Sequence, residues 1–583
     1  MLSLTTLPLL VLVLPAIGAF LGGVLPSPAT LEPGVIARWS VRGSIALAAA
    51  GTLDLLLRIG PSGTVTVTLW RVDSGLPVTL QFGAAGLLMA LLILGAGLLV
   101  SLAAADRRPL ASSALGLAVA GSLMAALAGG LLGLFVGLQL SAVGGIGLSY
   151  ARSPRTASHR IIWAAVADQT VALIWLAAVL TIYHTAGTLQ FSDIPTVSVN
   201  FIVAWILLIP ALVRLGSVSL LFGRSGVGGT AARSLDVADW LAVAAIPTGL
   251  TVLLRDLQLS GGSWPSPSFG TVLDLLGLLL ALTGAAASLT VWRRRRSDAA
   301  LPLIVVALIL VGFGTDSTAG IELAVAAALF LELLVYFLPR LRHAQAPRPS
   351  PSGLRAGLLG GWLWLGTIGL LSPLSFGFTA AVLGFELAAP TRNSGLLPAV
   401  GYVACLVALC LVLPGLLLLR PPAAEGSNWV LAIPAGLSIA FTVAGGWVVT
   451  GVAAAFAFST TAVTSPLTAP DPLLLEVPGL LYPVGYLAAL VAMLLVGAIA
   501  LRYALGLGPM RLHLGAVEPA SDPELPLFLQ SLGRRLGQAS TSARSLLGVI
   551  DHGLAISERE VAERPIWLWI GLTALAVWLM AQR

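Results

Sequence analysis

Four charged side chains lie inside long apolar runs of the sequence: Asp168, Arg214, Glu322 and Glu332. A carboxylic acid buried in lipid prefers its neutral form, but it can still bind a proton or a cation. Glu322 and Glu332 are ten residues apart, which places them about 15 Å apart along one helix and about 80° apart around its axis. They could line one side of an ion path, with Glu332 as the best titratable candidate. Alternatively, Glu332 hydrogen-bonds to nearby backbone or to a partner subunit.

All 31 basic residues are arginines, and the sequence contains no lysine. A guanidinium group does not release its proton in a protein, so Arg214 is a fixed charge. Such a charge inside a bilayer costs about 2.5–3.5 kcal/mol on an insertion scale unless it is paired or hydrated. Asp168, one apolar run earlier, is the candidate counter-ion. The pair is either a fixed electrostatic element of an ion path or a structural salt bridge that locks two spans.

The remaining reactive side chains form no recognisable site. Asp54, Asp274 and Glu386 are expected near the ends of apolar runs, as interfacial residues rather than ligands. The two cysteines, Cys405 and Cys410, are five residues apart, which is neither a metal-ligand nor a disulfide spacing. The five histidines are scattered over loops and run ends. We therefore predict no metal, no cofactor and no catalytic residue in this chain.

The elements that hold these residues are membrane helices. Of the 583 residues, 57% are hydrophobic and only 10% are charged, whereas an ordinary soluble chain is about 25% charged. The mean hydropathy is +0.98, which excludes a soluble globular protein. The net charge of +6 comes from arginines between the apolar runs, so it indicates topology rather than binding to nucleic acid. The sequence predicts an all-α polytopic membrane protein.

Apolar runs bounded by charged residues, proline or glycine give about sixteen transmembrane spans. They lie near residues 4–25, 43–57, 80–105, 110–128, 131–150, 161–184, 200–222, 240–254, 270–292, 299–314, 319–339, 356–389, 394–419, 429–457, 478–504 and 566–581.

The arginines favour one orientation of these spans. Cytoplasmic loops collect basic residues, and 25 of the 31 arginines fall on one side when the spans alternate. The predicted topology has both termini on the outer side of a membrane, which we expect to be a prokaryotic plasma membrane.

A segment between the last two spans has a different pattern. From Asp522 to Arg564, apolar residues recur every three or four positions, and Arg534, Arg535 and Arg544 lie on the other face. This pattern predicts an amphipathic helix along the inner membrane surface or along a neighbouring subunit. Alternatively, the helix covers this protein's own bundle.

Three local sequences resemble a known family. They are Gly137–Tyr150, Ala165–Asp168 and Ala186–Asp193, which includes a Gly-Thr-Leu-x-Phe turn. They are similar to the antiporter-like membrane subunits of respiratory complex I, a group related to Mrp-type cation/proton antiporters. The layout resembles the distal subunit of that group, with about sixteen spans, broken seventh and twelfth helices and a lateral amphipathic helix before the last span.

The resemblance implies a mid-membrane path of titratable side chains for protons or cations, but most of its positions are replaced here. The family's glutamate of the fifth span falls on Gln139, and its lysine of the seventh span falls on Arg214. Basic positions of the eighth, eleventh and twelfth spans fall near Val243, near Glu332 and near Ala380. The candidate path residues are therefore Glu332, Asp168, Arg214, Gln139 and Glu322, and the relay is largely eroded.

The expected function is that of a membrane-arm subunit in a complex I-like or Mrp-like assembly, associated with proton or cation translocation. The alternatives are a transport-inactive subunit that anchors the membrane arm and a membrane subunit of an inorganic-carbon uptake system. The chain is not expected to be catalytic alone, but it could belong to an NAD(P)H-quinone oxidoreductase-like complex. Expected partners are the lipid bilayer and other membrane subunits, with quinone-oxidoreductase or hydrogenase subunits as candidates.

The same layout predicts five parts of the chain. They are N-terminal helices at 1–109, an antiporter-like core of two helix-bundle repeats at 110–419, C-terminal helices at 420–510, a lateral helix at 511–564 and a final span at 565–583.

Overall fold

The computed structural model describes residues 6–24, 34–60, 63–71, 77–103, 109–152, 158–195, 199, 201–224, 245–291, 300–316, 320–328 apart from 322 and 326, 396–417, 474–477, 480–483 and 497. All of these residues belong to one compact unit, formed by residues 1–71 and 75–498. The predicted lateral helix and final span lie outside the described residues.

The described part of the chain is mostly helical. In chain order its helices are α1 Thr6–Val24, α2 Val35–Ile59, α3 Ala84–Ala103, α4 Pro109–Ala126, α5 Leu131–Arg152, α6 Ser158–Ala186, α7 Phe201–Arg224, α8 Ile246–Leu259, α9 Pro267–Val291, α10 Ala300–Gly314 and α11 Leu396–Leu417. Its strands are β1 Thr64–Arg71, β2 Pro77–Gly83, β3 Leu474–Val477 and β4 Leu480–Pro483.

Several helices are long and apolar enough to cross a membrane. Five meet this condition by length and composition: Val35–Ile59, Pro109–Ala126, Leu131–Leu148, Gln169–Ala186 and Pro267–Ala285. Shorter apolar helices occur within α1, α3, α7, α10 and α11. In lipid, a spanning segment must satisfy its backbone internally, and a helix does so. The predicted polytopic helical membrane protein is confirmed, while the total of about sixteen spans stays a prediction.

The first ten predicted spans each correspond to one helix, α1 to α10. The largest differences are at the short spans. The helix predicted at 43–57 is α2, which begins at Val35. The helix predicted at 240–254 is α8, which continues to Leu259. This second shift places two charged residues, Arg255 and Asp256, inside a helix rather than after it.

Two β-hairpins modify the predicted all-α fold. In the first, β1 and β2 pair antiparallel from Thr64 opposite Gly83 to Arg71 opposite Pro77. The β-branched alternation of threonine and valine in β1 favours a strand over a helix. The span predicted at 80–105 therefore begins too early, because its first four residues belong to β2. In the second hairpin, β3 pairs antiparallel with β4 at the start of the span predicted at 478–504.

Helices α4 and α5 cross at very close range. A methyl group added at Gly121, Gly137 or Gly144 would collide with the backbone of the facing helix. Ser122 and Ser141 share a hydrogen bond of 3.0 Å across the same crossing. Small residues let membrane helices approach closely enough for such contacts. The residues from Gly137 to Gly147, which carry part of the family resemblance, thus also form a packing surface.

The resemblance predicted a broken seventh helix, and this expectation is wrong for the described residues. Helix α7 runs without interruption from Phe201 to Arg224, with Pro210 inside it. Proline removes one backbone hydrogen bond and bends a helix, but neighbouring helices allow a membrane helix to continue past it. The twelfth span lies outside the described residues.

One end of the helix bundle is closed by short extended segments, here called the cap: β2, residues 127–130 and residues 188–191. The backbone hydrogen bonds that join them are Gln81 N to Leu127 O (2.7 Å), Gly129 N to Thr79 O (2.9 Å), Leu131 N to Leu189 O (2.9 Å) and Phe191 N to Gly129 O (3.1 Å). The connections that follow α2, α4 and α6 therefore meet at the same side of the bundle, as alternating spans require.

Candidate functional site

Arg214 joins three helices in the core of the bundle. Its side chain is only 6% exposed. Nη1 donates a hydrogen bond of 2.8 Å to Thr248 Oγ1 on α8, and Nη2 donates one of 2.8 Å to the carbonyl oxygen of Leu138 on α5. Hydrogen bonds to oxygen dipoles compensate in part for removing the guanidinium from water. The fixed charge predicted from the sequence is thus held by α5 and α8 from its position on α7.

The partner Thr248 is placed by its own helix. It is fully buried, and its hydroxyl also donates a hydrogen bond of 3.3 Å to the Ala245 carbonyl oxygen. The next residue, Gly249, lies against Leu215 of α7, and a methyl group there would approach the Leu215 side chain to 2.9 Å. This close contact brings Thr248 within reach of Arg214.

Gln139 lies next to this site. It is a half-buried residue of α5 and follows Leu138, whose carbonyl oxygen accepts from Arg214. Two positions of the implied relay, Gln139 and Arg214, are therefore neighbours in the structure. Neither side chain can lose a proton at ordinary pH, because one is an amide and the other a guanidinium.

For the other predicted path residues, the positions of the side chains are not described. Asp168 belongs to α6, a helix that packs against α5 and α7, but its side chain is outside the described part. Glu322 and Glu332 also lie outside the described residues. The pairing of Asp168 with Arg214 and the roles of both glutamates stay predictions.

The structure reveals a buried acid that the sequence analysis did not consider. Asp256 on α8 is 3% exposed, and neither of its carboxylate oxygens has a hydrogen-bond partner among the described residues. The sequence signal was the charged pair Arg255-Asp256 directly after an apolar run. We missed it because the span was predicted to end at residue 254.

Arg255 connects α8 to the cap. Its Nη2 donates a hydrogen bond of 2.9 Å to the carbonyl oxygen of Ala128, and its Nη1 donates one of 2.8 Å to Gln258 Oε1. The guanidinium carbon lies 4.7 Å from the centre of the Phe191 ring, which is a favourable cation–π distance. The guanidinium of Arg255 therefore contacts two cap segments, residues 127–130 through Ala128 and residues 188–191 through Phe191.

A second buried acid lies where α9 meets α10. Asp274 is 3% exposed, and its Oδ1 has no hydrogen-bond partner within the part of the chain that the structure describes. A methyl group added at Gly314 would collide with this carboxylate. The sequence placed Asp274 near the end of a span as an interfacial residue. It is indeed in the second turn of α9, but neighbouring helices cover it.

The connection between α8 and α9 is fixed by aromatic rings and by Asp316. The Trp264 indole Nε1 donates a hydrogen bond of 2.9 Å to the Phe313 carbonyl oxygen, and its backbone N–H donates to the Asp316 carboxylate at 3.2 Å. Phe269 stacks on Trp205 of α7, with ring centres 4.1 Å apart. These contacts hold the ends of α7, α9 and α10 together on one side of the bundle.

The described residues contain no group of three or more histidine, cysteine, aspartate or glutamate side chains that could hold a metal ion. The chemistry of this part of the chain is that of fixed arginines and isolated, buried carboxyl groups.

Comparison with known proteins finds solved structures of similar fold. No family model matches the chain, and no curated protein matches it. Solved structures do match. A chain of the membrane-bound sulfane sulfur reductase, an archaeal respiratory membrane complex, superposes with a TM-score of 0.67 and 16% identity. The match covers 98% of this chain and 99% of that chain.

Two further assemblies contain similar chains. A chain of the Mrp complex from Dietzia sp. superposes with a TM-score of 0.67 and 16% identity, over 99% of this chain and 63% of that longer chain. A chain of respiratory complex I from Thermus thermophilus superposes with a TM-score of 0.59 and 18% identity, over 77% of this chain and 98% of that chain. The present chain has the fold of a divergent antiporter-like membrane subunit, as its sequence resemblance predicts.

Proposed function

We propose that this chain is a membrane-arm subunit of a complex I-like or Mrp-like assembly and takes part in proton or cation translocation. The observation that carries the proposal is the match over nearly the whole length of both chains, 98% and 99%, with a chain of an archaeal respiratory membrane complex. The partners in this proposal are other membrane subunits, including those of a quinone oxidoreductase or a hydrogenase. Redox chemistry belongs to those partners, and this chain supplies part of the membrane path.

The proposed path differs from a lysine relay. A buried lysine can load and release a proton because burial and nearby charges lower its pKa. Arg214 cannot do so, and Gln139 carries no exchangeable charge. In our proposal Arg214 supplies a fixed positive potential, and protons or cations move through carboxyl groups and water. Glu332, Glu322 and Asp168 are the carboxyl groups that the sequence provides for this role.

A transport-inactive subunit is the second candidate, and the bonding of Arg214 favours it. The guanidinium donates to a hydroxyl group and a backbone carbonyl on two neighbouring helices. This arrangement locks α5, α7 and α8 together, which is also what a subunit that only anchors the membrane arm requires. In that case the antiporter-like fold is retained for assembly and conduction is lost.

The remaining features of the proposal concern topology. Both termini lie on the outer side of a prokaryotic plasma membrane, and residues 511–564 form the lateral helix that braces neighbouring subunits. The arginine distribution supports the orientation, and the amphipathic pattern of the segment supports the helix. Residues 110–419 form the antiporter-like core between the N-terminal helices 1–109 and the C-terminal helices 420–510, and residues 565–583 form the final span.

Proton flux into vesicles that contain the purified assembly tests the transport function. We expect Glu332→Gln to reduce the flux, because an amide cannot carry a proton. Asp54→Asn is the matched control, since Asp54 forms a partly exposed ion pair of 2.7 Å with Arg58, and it should leave the flux unchanged. Flux in Glu332→Gln equal to that of the wild type would remove Glu332 from the path. Absence of flux through this subunit would favour the anchoring role.

A further inference from the structure

Asp256 occupies an unusual position for an acidic side chain. Every residue of α8 except Arg255 and Gln258 is buried, and Asp256 is covered as completely as its apolar neighbours. Both carboxylate oxygens are fully enclosed without a hydrogen-bond partner in the described parts of the chain. Most buried polar groups in proteins are hydrogen-bonded, so each exception requires an explanation.

Within the part of the chain that the structure describes, the helices that pack against α8 provide little compensating charge. Helices α3, α4 and α7 pack against α8, and the sequences of α3 and α4 contain no charged residue. Helix α7 carries Arg214 and, at its far end, Arg224. Arg214 contacts α8 at Thr248, eight residues before Asp256, which corresponds to about 12 Å along the helix axis. That guanidinium is too distant for direct pairing with Asp256.

The guanidinium of the neighbouring Arg255 interacts with groups other than the Asp256 carboxylate. Its two guanidinium nitrogens donate to the Ala128 carbonyl oxygen and to Gln258 Oε1, and its charge lies over the Phe191 ring. The cap segments at 127–130 and 188–191, where these contacts are made, contain no charged residue. An ionised carboxylate without a partner is costly to bury, and a bound proton removes that cost.

We propose that Asp256 is a proton-binding site of this subunit, which takes up and releases a proton at the cap side of the bundle. Asp256 lies three residues before the end of α8, or about 4.5 Å along the axis. The loop that follows is exposed at residues 261–263. A carboxyl group one turn below an exposed loop has a short route to water, so a proton can exchange without crossing the whole bundle.

The role of this site in transport rests on the proposed function, whereas proton binding by Asp256 does not. In transport, Asp256 supplies a titratable group on the helix that Arg214 contacts at Thr248, whereas the guanidinium of Arg214 has replaced the lysine that the family resemblance implies. The exchange is a simple acid–base step. The carboxylate takes a proton from a hydronium ion, whose O–H bond breaks to leave water as the carboxyl O–H bond forms, and it later returns that proton to water or to the next acceptor.

Infrared difference spectroscopy of the full chain in lipid vesicles tests the proposal directly. A protonated carboxyl group in apolar surroundings has its own C=O stretching band. We expect a band in the wild type that disappears as the pH is raised, and that is missing from Asp256→Asn. Asp256→Glu should retain a titrating band at a shifted position, which keeps the test decisive if Asp256→Asn does not fold. Asp54→Asn is the control and should match the wild type.

Two results would overturn the proposal: a set of C=O bands in Asp256→Asn that is identical to that of the wild type, or a band that is lost in Asp256→Asn but does not respond to pH in the wild type. Proton flux measured on the same vesicles separates this proposal from the transport function. Flux that is lost in Asp256→Asn and kept in Asp256→Glu supports both. A titrating band assigned to Asp256, without flux in any variant, supports the proton site and contradicts transport.

Discussion

Arg214 Nη1 lies 2.8 Å from Thr248 Oγ1, and this hydrogen bond joins α7 to α8 inside the bundle. The second guanidinium nitrogen makes an equally short bond to the carbonyl oxygen of Leu138 on α5. The planar fork of arginine reaches two acceptors on separate helices with one side chain. A lysine has only one compact ammonium group and a shorter reach, so the two residues are not equivalent here.

Arg214→Lys should therefore weaken the fold. We expect loss of at least one of the two hydrogen bonds, and each bond to a charged group is worth about 1.5–3 kcal/mol. The free energy of unfolding should fall by a similar amount, measured by denaturation of the purified protein in detergent. Arg58→Lys, at a partly exposed ion pair, is the control and should change it little. Equal stability of Arg214→Lys and the wild type would contradict the proposed cross-link.

The acceptor at Thr248 gives an independent test of the same contact. Thr248→Val keeps the shape of the side chain but leaves Nη1 of Arg214 without this partner, which should cost about 1–3 kcal/mol. Thr248→Ser keeps the hydroxyl and should cost less. Thermal unfolding of the two variants in the same detergent compares them directly. The cross-link would be refuted if valine were tolerated better than serine.

The crossing of α4 and α5 should not tolerate a larger residue. Gly137→Ala places a methyl group against the backbone at Ala125, and such overpacking costs about 1–3 kcal/mol. Gly95→Ala is the matched control, because a methyl group there meets nothing within 4 Å. Alanine is favoured over glycine in a helix by about 1 kcal/mol, so the control should be neutral or stabilising. A lower melting temperature for Gly95→Ala than for Gly137→Ala would contradict the packing.

Asp316 should make stability depend on pH. It lies in the turn after α10, where burial raises the pKa of its carboxyl group above the ordinary value of 3.8 while the hydrogen bond from the Trp264 backbone lowers it. The folded state therefore holds this proton more tightly than the unfolded state does. The contribution of Asp316 is most favourable below pH 3.8 and declines as the pH rises through the folded-state pKa.

Asp316→Asn should remove this dependence while keeping an oxygen to accept from the Trp264 N–H. Asparagine also tolerates the positive φ of 52° at this position. We expect the stability of Asp316→Asn relative to the wild type to increase as the pH rises from about 4 towards neutral, measured by thermal unfolding in detergent. Asp54→Asn supplies the control. A difference between Asp316→Asn and the wild type that shrinks with rising pH would contradict the assignment.

Helix positions were predictable from sequence because few backbone structures other than a helix satisfy their hydrogen bonds within a lipid bilayer. An apolar run of about 20 residues forms a helix almost regardless of local detail, and α5 and α10 begin and end close to the predicted residues. The hairpin of β1 and β2 was missed because apolar strand residues such as Leu80 and Phe82 continue directly into the apolar helix α3. Hydropathy does not separate a buried strand from the helix that follows it.

The site was harder to predict than the fold. Arg214 was identified because a charge in an apolar run is expensive, but its partners Thr248 and Leu138 could not be foreseen. A hydroxyl and a backbone carbonyl occur everywhere, and only tertiary packing selects these two. Asp256 was missed for a simpler reason. It follows Arg255 at an assumed span end, and the apolar pattern does not show that α8 continues to Leu259.

Isolation of the native complex would show whether this chain works as a membrane-arm subunit. The assembly would be purified from its membrane, its subunits identified by mass spectrometry, and its proton flux measured in vesicles. We expect other membrane subunits of a complex I-like or Mrp-like assembly, together with flux that depends on this chain's carboxyl groups. Purification of this chain alone, with no such partners and no flux, would contradict it.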